Sequence, residues 1–595
     1  MGFVISCGAS CGVSTIRSAV MASAAVKSYS RLSSKRQATR AVESSRLFLG
    51  RRSRGSRGVF APNRQIFTTT SSSEPCYVTT PIYYVNDKPH IGHVYTSTLA
   101  DVYARFQRSQ GRDVRFLTGT DEHGQKVEQS AEKRGIEPQQ LADENSAFFR
   151  DAMENFGIEF DDFIRTTDPR HKEQVTKFIQ QLKDKDFVYL GEFEGWYDEG
   201  QEEYVTESTA AEQDFKSAIS GKPLVKAKQE NYFFRLSAFQ DKLEAMFEEN
   251  PDLVLPKARS NEVLNRIKAG LQDVPISRTS FTWGIPMPDD EEHVIYVWID
   301  ALFNYISALQ LAEGDESKLA KYWPATVHIM AKEIVWFHAV IWPAVLMALE
   351  LPLPGRVYAH GFWIRDGKKM SKSLGNFVDL ETLTGYCDTY GLDSIRYFLL
   401  TQGPIGAIDS NWSDERLYDI YSDELVNTLG NCASRTTSMI NKYYKQDGVP
   451  SEMDSSGARR QVGEYDWPAI TQEATNTCVE CVETFDLPGA ATTAVGLVGK
   501  VDTFISETEP FRLAKDESKK EELAAILYQC METVRIAGVL LESVMPEKMG
   551  QLEEALGTAE IKGTLQERTA WGQLQPGSLV KKVALFPRVD PPTPA

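Results

Sequence analysis

The apolar positions that follow residue 75 show two periods in succession. The stretch CYVTTPIYYV at residues 76–85 is rich in β-branched and aromatic side chains, which is typical of a buried strand. The next stretch has apolar residues at spacings of four, three and four, as on one helix face: Tyr95, Leu99, Val102 and Phe106. Gly111 ends this pattern, and DVRFLTGTDEHG at residues 113–124 predicts a second strand. Together the three elements predict a βαβ unit in a parallel sheet.

Helical spacing dominates the chain after residue 412. One helix face there is formed by Leu417, Ile420, Tyr421, Leu425 and Leu429. Further helices are predicted near residues 468–508 and 518–545, and strand character returns only in VKKVALFPR at residues 580–588. The C-terminal part is therefore predicted to be an all-α helical bundle.

Length and composition indicate a globular protein of several domains. The chain has 595 residues, of which 42% are hydrophobic and 10% aromatic. This length corresponds to about three or four domains. No run of roughly 18 or more apolar residues occurs, so no membrane span is predicted. Eight scattered cysteines are too few for a disulfide framework, which favours a reducing compartment.

Charge is distributed unevenly along the chain. Residues 1–73 carry twelve Lys or Arg and one acid, a net charge of +11, whereas the whole chain carries −18 and the remainder −29. A serine-rich, arginine-rich segment with almost no acid is typical of an organelle transit peptide, and it is left out of the fold prediction. A basic arm that binds nucleic acid is the alternative interpretation.

Two short motifs carry candidate chemistry. The first, PHIGH at residues 89–93, lies at the predicted turn from strand to helix. A helix N-terminus suits phosphate oxygens there, and His90 and His93 can donate hydrogen bonds as negative charge develops. The second, GKKMSKSLGN at residues 367–376, places three lysines within six residues. Taken alone, either motif is also compatible with ordinary histidines or a solvated charge run.

Together, HIGH and the KMSKS that follows about 280 residues later resemble the paired signatures of class I aminoacyl-tRNA synthetases. The resemblance implies a Rossmann-like parallel-sheet catalytic domain in which both motifs clasp one ATP and act by positioning and electrostatics. It implies catalytic roles for His90, His93, Lys369 and Lys372. It implies ATP contacts for Pro89, Gly92, Lys332, Glu333, Met370, Ser371 and Ser373.

The segments between the motifs are similar to methionyl-tRNA synthetases along nearly the whole of residues 75–412. The resemblance rests on TTPIYYVNDKPHIGH, FLTGTDEHG, YVWIDALFNYI, EIVWFHAVIWPA and HGFWIRDGKKMSKSLGN. Methionine is apolar and unbranched, so its pocket should be aromatic and aliphatic. The implied methionine site comprises Ile82, Tyr84, Asp121, Trp298, Ala301, Tyr305, Ile334 and His338, with the Asp121 carboxylate holding the substrate ammonium.

The chain departs from the family pattern in two places. Ala331-Lys332-Glu333 stands where the family usually has Gly-Lys-Asp, which adds a methylene to the carboxylate that binds ribose. Many relatives carry zinc-binding cysteine pairs in the insert at residues 188–296, but this chain has no cysteine between Cys76 and Cys387. We therefore expect no structural zinc. The insert is also too short for the editing domain of leucyl, isoleucyl and valyl relatives.

The resemblance further implies that the helical bundle binds the anticodon, whose unstacked bases can stack on aromatic rings. The matching positions are Asn431, Arg435, Pro510 and Phe511, where relatives commonly have tryptophan at the last. The predicted domain order is a transit peptide at 1–73, a catalytic domain at 74–187 and 297–375, a connective insert at 188–296, a stem-contact linker at 376–412 and the anticodon-binding domain at 413–595.

The implied function is a methionine-tRNA ligase that uses ATP with Mg²⁺ and binds methionine and tRNA(Met). We expect a monomer in the mitochondrial matrix, the plastid stroma or both. Two alternatives remain open. A small-molecule nucleotidyltransferase of the wider HxGH group would have no helical C-terminal domain, and a catalytically inactive tRNA-binding protein derived from a synthetase would not need both motifs intact.

Overall fold

The computed structural model describes residues 74–198, 203–205, 207–217, 221–309, 316–370 and 375–592. Its strands are β1 (Pro75–Thr79), β2 (Tyr83–Tyr84), β3 (Asp113–Asp121), β4 (Asp162–Arg165), β5 (Val188–Asp198), β6 (Glu203–Val205), β7 (Val225–Phe234), β8 (Val254–Leu255), β9 (Val274–Pro275), β10 (Ser277–Arg278), β11 (Pro286–Met287), β12 (Asp290–Ile295), β13 (Val327–Ala331), β14 (Val357–His360), β15 (Trp363–Arg365), β16 (Lys368–Lys369) and β17 (Ser410–Trp412).

Helices are distributed over the whole described chain. They are α1 (Ile91–Ser109), α2 (Gln125–Arg134), α3 (Pro138–Asn155), α4 (Pro169–Asp184), α5 (Glu207–Glu212), α6 (Gln240–Glu249), α7 (Lys257–Lys268), α8 (Val297–Leu302), α9 (Asn304–Ser307), α10 (Glu316–Tyr322), α11 (Trp342–Leu349), α12 (Leu380–Tyr390), α13 (Leu392–Gln402), α14 (Asp414–Ile420), α15 (Asn431–Tyr443), α16 (Trp467–Glu483), α17 (Leu487–Thr508), α18 (Pro510–Leu513), α19 (Lys520–Leu541), α20 (Pro546–Leu556) and α21 (Leu565–Arg568). Short 3-10 turns lie at Leu236–Phe239, Lys332–Ile334 and Glu517–Lys519, and π-helical turns lie at Phe337–Ile341 and Tyr421–Gly430.

A seven-stranded parallel sheet forms the centre of the N-terminal half. Its order is β2-β3-β1-β13-β14-β8, and β4 pairs with β3 beside this path. Cys76 and Val78 of β1 enter one hydrophobic core, whereas Tyr77 enters the other. Because both faces of the strand are buried, helices must cover both sides of the sheet. The structure thus has the predicted Rossmann-like α/β architecture.

The predicted βαβ unit consists of β1, α1 and β3. Helix α1 buries the predicted face, and it ends at Ser109. Gly111 follows with a φ of 85°, a left-handed conformation that glycine adopts without a steric penalty. The turn that contains PHIGH therefore lies where β1 has ended and α1 begins.

The predicted insert at residues 188–296 contributes a strand to the catalytic sheet. Most of its strands form two antiparallel sheets, β6-β5-β7-β9 and β10-β12-β11. However, β8 pairs in parallel with β14 at the edge of the central sheet, and Val254 is fully buried there. The two-residue length of β8 gives no periodic signal, so only the fold reveals that this part of the insert completes the sheet.

The C-terminal part is a helical bundle arranged around α19. The apolar stretch Glu517–Leu541 is long enough to cross a membrane by length and composition, yet 94% of its most apolar window is buried inside the protein. This burial is typical of the core helix of a bundle. The strand expected at residues 580–588 does not form, because this segment packs on the helices instead, where the Tyr421 hydroxyl donates to the Pro587 carbonyl at 2.5 Å.

A buried ion pair links the bundle to α1. The guanidinium of Arg396, on α13, donates to the Asp101 carboxylate of α1 at 2.5 Å, and both side chains are almost fully buried. Arg396 also donates to the carbonyls of Val544 and Gly157. One side chain thus contacts α1, the turn after α3 and the chain that follows α19.

Arg396→Met should destabilise the protein, because the Asp101 carboxylate and the carbonyls of Val544 and Gly157 would lose a buried donor, although Arg105 still pairs with Asp101 at 2.8 Å. We expect a loss of about 2–3 kcal/mol in the free energy of unfolding. Chemical denaturation followed by far-UV circular dichroism measures it. Lys177→Met, which breaks the exposed pair between Lys177 and Glu173, is the control and should leave the midpoint nearly unchanged. Equal effects of the two substitutions would contradict a structural role for the Arg396 pair.

Candidate active site

A cavity of about 250 Å³ lies at the carboxyl ends of the central strands. It is bounded by Pro81 beyond β1, Asp121 at the end of β3, Ala331 at the end of β13 and His360 at the end of β14. Strand β1 lies between β3 and β13, so the strands that follow β1 in the chain are added on both of its sides and the strand order reverses here. Parallel α/β sheets bind ligands at such a position.

Residues predicted to bind methionine and residues predicted to bind the nucleotide line this one cavity. They are Ile82, Tyr84, His90, Gly92, His93, Asp121, Trp298, Ala301, Tyr305, Glu333, Ile334 and His338. The wall therefore combines the turn at residues 89–93, here called the imidazole turn, with the aromatic segment of α8 and α9.

Other predicted residues lie outside the cavity wall. Pro89 is buried in the turn before α1, and Met370 is only 8% exposed in the hydrophobic core. The apolar Met370 side chain packs in the core and does not face the cavity, so it holds the start of the lysine motif at residues 367–376 against the protein. Lys332 donates to Asp409 at 2.6 Å, and Lys369 is exposed on β16. The remaining predicted residues of this motif lie outside the described residues: Ser371, Lys372 and Ser373.

The two histidines of the imidazole turn cap the N-terminus of α1 reciprocally. The Gly92 amide donates to Nδ1 of His90 at 3.0 Å, and the His90 amide donates to Nδ1 of His93 at 3.1 Å. Since each Nδ1 accepts a hydrogen bond, the proton of each neutral ring is carried by Nε2. A Cβ at Gly92 would lie 2.9 Å from the His90 ring, so this cap requires glycine.

Burial keeps the second imidazole neutral. It lowers the pKa of His93 well below its ordinary value, and the neighbouring His90 ring, whose centroid is 3.9 Å away, lowers it further. A neutral ring with its proton on Nε2 is a hydrogen-bond donor without a full charge. The turn thus presents polarised N–H groups beside the positive end of the α1 dipole.

Residues on both sides of segment 371–374 lie close to the imidazole turn or the cavity wall. The Phe377 ring is 5.3 Å from the His90 ring, and Asp379 forms an antiparallel bridge with His90. On the other side, the Lys369 ammonium lies 5.6 Å from the ring centre of Phe362, which lines the cavity. The chain therefore enters and leaves the lysine motif beside the same cleft.

Glu333 lies on the rim of the cavity, within the 3-10 turn after β13. Much of this residue is exposed, yet the surrounding protein partly desolvates its carboxyl group and raises the pKa to about 6. Lys369 and Lys332 oppose this shift because their charges favour the carboxylate. The rim thus concentrates two ammonium groups, Lys332 and Lys369, and two carboxyl groups, Glu333 and Asp409.

The other end of the cavity is aromatic. The Tyr305 hydroxyl lies 2.7 Å from Nε2 of His338, whose Nδ1 donates to the Ile334 carbonyl at 3.0 Å. His338 therefore accepts a hydrogen bond from the Tyr305 hydroxyl as a neutral ring, and burial lowers its pKa to about 4. Trp298 stacks on Phe337 with centroids 4.3 Å apart. This end suits an apolar side chain with few polar contacts.

Several cavity residues were not predicted from the sequence. They include Thr96, Asn304, His360, Gly361, Phe362 and Trp363. His360 to Trp363 form the HGFW run, which ends three residues before GKKMSKSLGN, so proximity to that motif was the available signal. His360 is held by Thr96, whose hydroxyl lies 2.8 Å from Nε2.

Comparison with known proteins identifies the family of this fold and cavity. The family model described as "tRNA synthetases class I (M)" matches residues 76–213 and 208–437. A methionine-tRNA ligase of Caldanaerobacter subterraneus subsp. tengcongensis is 45% identical over 515 residues, which span 86% of this chain and 79% of the relative. The chain belongs to the class I methionyl-tRNA synthetases.

Further relatives agree with this assignment. The methionine-tRNA ligase of Bacillus subtilis is 42% identical over 527 residues, covering 86% of this chain and 78% of its own. The Mycobacterium tuberculosis methionyl-tRNA synthetase, solved in complex with methionyl-adenylate, superposes with a TM-score of 0.79 at 37% identity, covering 87% of this chain and all of that one. The predicted function is confirmed: this synthetase is an aminoacyl-tRNA ligase for methionine.

The residues that the family resemblance assigns to the anticodon lie on the surface of the bundle. Asn431 is exposed at the start of α15, and Arg435 follows one turn later, 3.1 Å from Asp502 of α17. Phe511 is 46% exposed just beyond α17, whereas Pro510 is buried beneath it. An exposed ring and a half-exposed guanidinium are suitable groups for unstacked bases.

The expectation that the protein has no structural zinc stays a prediction. Across the described ranges, no group of three or more His, Cys, Asp or Glu side chains is arranged to hold a metal ion. Cys478 is buried in α16, and Cys481 lies one turn later and is half-buried. Burial raises the pKa of both thiols.

Folding stability should fall as the pH decreases from about 6.5 to 4. Burial lowers the pKa of His338 and of His360 to about 4, so the unfolded chain takes up protons first. Each histidine then reduces the free energy of unfolding by about 2 kcal/mol at pH 5 relative to neutral pH. Thermal or urea unfolding across this range measures the slope. His360→Asn should reduce the number of protons taken up on unfolding by about one and thus lower the slope. An unchanged slope would contradict a contribution of His360 to the pH dependence.

Proposed function

We propose that this synthetase joins methionine to ATP, forming methionyl-adenylate and pyrophosphate, and then transfers the methionyl group to the terminal ribose of tRNA(Met). The observation that carries the proposal is a single cavity with imidazole N–H donors at one end and an apolar aromatic pocket at the other. Such a cavity can hold an aliphatic amino acid with its carboxylate directed at the α-phosphate of a nucleotide.

The activation step is a displacement at phosphorus. A carboxylate oxygen of methionine forms a bond to the α-phosphorus as the bond to the bridging oxygen breaks, and that oxygen leaves with pyrophosphate. Negative charge grows on the phosphate oxygens, where Nε2–H of His90 and His93 and the α1 dipole stabilise it. Lys369 and Lys372 neutralise the departing pyrophosphate, and Mg²⁺ accompanies the ATP phosphates.

Nucleotide binding uses the remaining rim residues. Gly92 leaves room for the base beside the α1 turn, and Pro89 shapes that turn. Glu333 accepts hydrogen bonds from the ribose hydroxyls, while Lys332 supplies positive charge. The last residues assigned to the nucleotide belong to the lysine motif: Ser371, Ser373 and the backbone of Met370, whose side chain is packed in the core.

Methionine binding uses the aromatic end of the cavity. Asp121 is 2% exposed at the end of β3 and pairs with the ammonium group of the substrate. The thioether lies against Trp298, while the Tyr305 hydroxyl is held by His338. The apolar lining is completed by Ile82, Tyr84, Ala301 and Ile334.

Recognition of tRNA(Met) uses Asn431, Arg435, Pro510 and Phe511 at the anticodon. The net charge of −29 beyond residue 73 does not oppose this assignment, because contacts with a nucleic acid need a local basic stripe. The phenyl ring of Phe511 offers less stacking area than the indole of relatives, so its contact with the anticodon is weaker. No membrane segment takes part, and the enzyme acts as a monomer.

Purified protein should catalyse methionine-dependent exchange of labelled pyrophosphate into ATP. Lys372→Ala should lower the exchange rate by about 100-fold, with methionine affinity nearly unchanged, because the lysine acts on the departing pyrophosphate. Absence of exchange above background would exclude the activation step and favour an inactive tRNA-binding protein.

The matched control for this experiment is Arg435→Ala. Arg435 belongs to the bundle and lies outside the cavity wall. The variant should therefore retain exchange and lose aminoacylation of tRNA(Met). Loss of exchange in Arg435→Ala would contradict the division between the two sites.

We also propose that residues 1–73 direct the enzyme to the mitochondrial matrix, the plastid stroma or both. The support is the composition of this segment, with a net charge of +11 and one acidic residue. A fluorescent protein fused to residues 1–73 should enter one of these organelles. Diffuse cytosolic fluorescence would contradict the proposal.

A further inference from the structure

A buried carboxylate lies between two imidazoles directly behind the methionine end of the cavity. Nδ1 of His123 is 2.6 Å from one oxygen of Asp300, and Nε2 of His171 is 2.7 Å from the other. Nδ1 of His171 lies 2.7 Å from the Ser307 hydroxyl. None of these side chains is more than 2% exposed. We call these four residues the Asp300 cluster.

The cluster holds an ionised carboxylate in the protein interior. Burial alone would raise the pKa of Asp300, but the charges and hydrogen bonds of His123 and His171 outweigh it and lower the pKa to about 2. Each imidazole therefore donates an N–H to Asp300. The Ser307 hydroxyl lies 2.7 Å from Nδ1 of His171, so that ring is held at both of its nitrogens.

Three members of the cluster are close in sequence to residues that line the cavity. His123 follows Asp121 by two residues at the end of β3. Asp300 lies on α8 between Trp298 and Ala301, and Ser307 follows Tyr305 by two residues on α9. The cluster thus joins the loop that carries the Asp121 carboxylate to the helices that form the apolar pocket.

His171 and a neighbouring indole fix the cluster from outside. His171 lies in the first turn of α4, and the ring of Trp283 is 5.6 Å from the ring of His123. The Trp283 indole donates to the Glu122 carbonyl at 2.5 Å, which secures the same loop. These contacts leave the loop after β3 little freedom to move relative to α8.

The order Ser307, His171 and Asp300 has the connectivity of a hydrolase triad, but its position excludes that chemistry. All three side chains are fully buried, and none of them lines the cavity. A substrate carbonyl therefore cannot reach the serine. The cluster acts through the residues to which it is attached.

We propose that Asp300 is a positioning residue for methionine recognition. By binding His123 and His171 together, it sets the separation between the Asp121 carboxylate, which holds the substrate ammonium, and the Trp298–Tyr305 pocket, which holds the side chain. This inference rests on the proposed function of the cavity. A substrate held at both ends depends on that separation, because displacements of about 1 Å already weaken such sites.

Asp300→Asn tests the inference with almost no change in volume. The asparagine amide presents one oxygen and one NH₂ group, so one imidazole N–H faces a donor. That ring must shift or change tautomer, and for His171 a changed tautomer would reverse the Ser307 hydrogen bond, with the serine proton turning to the Asn304 carbonyl 3.3 Å away. The methionine Kd, measured by equilibrium dialysis with labelled methionine, should rise about tenfold or more, while the ATP KM in pyrophosphate exchange stays within about twofold.

Glu532→Gln is the matched control. Glu532 is an equally buried carboxylate in the bundle, where Arg535 and the amides of Gly572, Gln573 and Leu574 donate to it. The control should lose stability and leave the methionine Kd unchanged. His123→Asn provides a second variant in the cluster, and it decides the question if Asp300→Asn does not fold. Its methionine Kd should rise about threefold or more.

The outcomes distinguish failure of the positioning role of Asp300 from failure of the proposed function. If the wild-type enzyme shows no methionine-dependent exchange, the proposed function fails. If the wild type exchanges pyrophosphate and the folded cluster variant binds methionine as the wild type does, the positioning role fails and the proposed function stands. A parallel loss of methionine and ATP affinity, matched by Glu532→Gln, would show general destabilisation and would also overturn the inference.

Discussion

The reciprocal cap at the start of α1 is the constraint on which the site depends. Helix N-termini leave amide groups without intrahelical partners, and here imidazoles fill part of that role. The amides of Gly92 and His90 donate to Nδ1 of His90 and His93 respectively. The same bonds that begin the helix fix each ring with its proton on Nε2. The folding of this turn therefore also orients the N–H groups that we propose as catalytic, and both depend on glycine at position 92.

The surrounding fold keeps this turn close to the lysine motif and to the apolar pocket. Contacts of Phe377 and Asp379 with His90 hold the chain after the motif beside the turn. The carboxyl ends of the central strands border the same cavity, and buried polar groups attach Asp121 to the helices that form the pocket. The Arg396–Asp101 pair connects α1 to the bundle. Polar interactions in the interior thus orient elements whose apolar faces supply the stability.

Sequence reasoning predicted the elements that have a local signal. The βαβ unit, the helices of the C-terminal bundle and the imidazole turn follow from periodicity and turn chemistry. Strand β8 was not predictable, because two residues show no periodicity. The packing of residues 580–588 on the helices was not predictable either, because strand formation needs a neighbouring sheet edge. The partners of Asp300 are 177 and 129 residues away. Only the folded chain brings such groups together, and an isolated histidine gives no sign of its partner.

A structure of the enzyme with methionine and a non-hydrolysable ATP analogue tests the central claim most directly. One triphosphate should lie within hydrogen-bond reach of Nε2 of His90 and His93 on one side, with the ammonium groups of the lysine motif on the other. Methionine should lie with its ammonium at Asp121. A triphosphate contacted by only one of the two motifs, or bound outside the cavity between Trp298 and the imidazole turn, would contradict it.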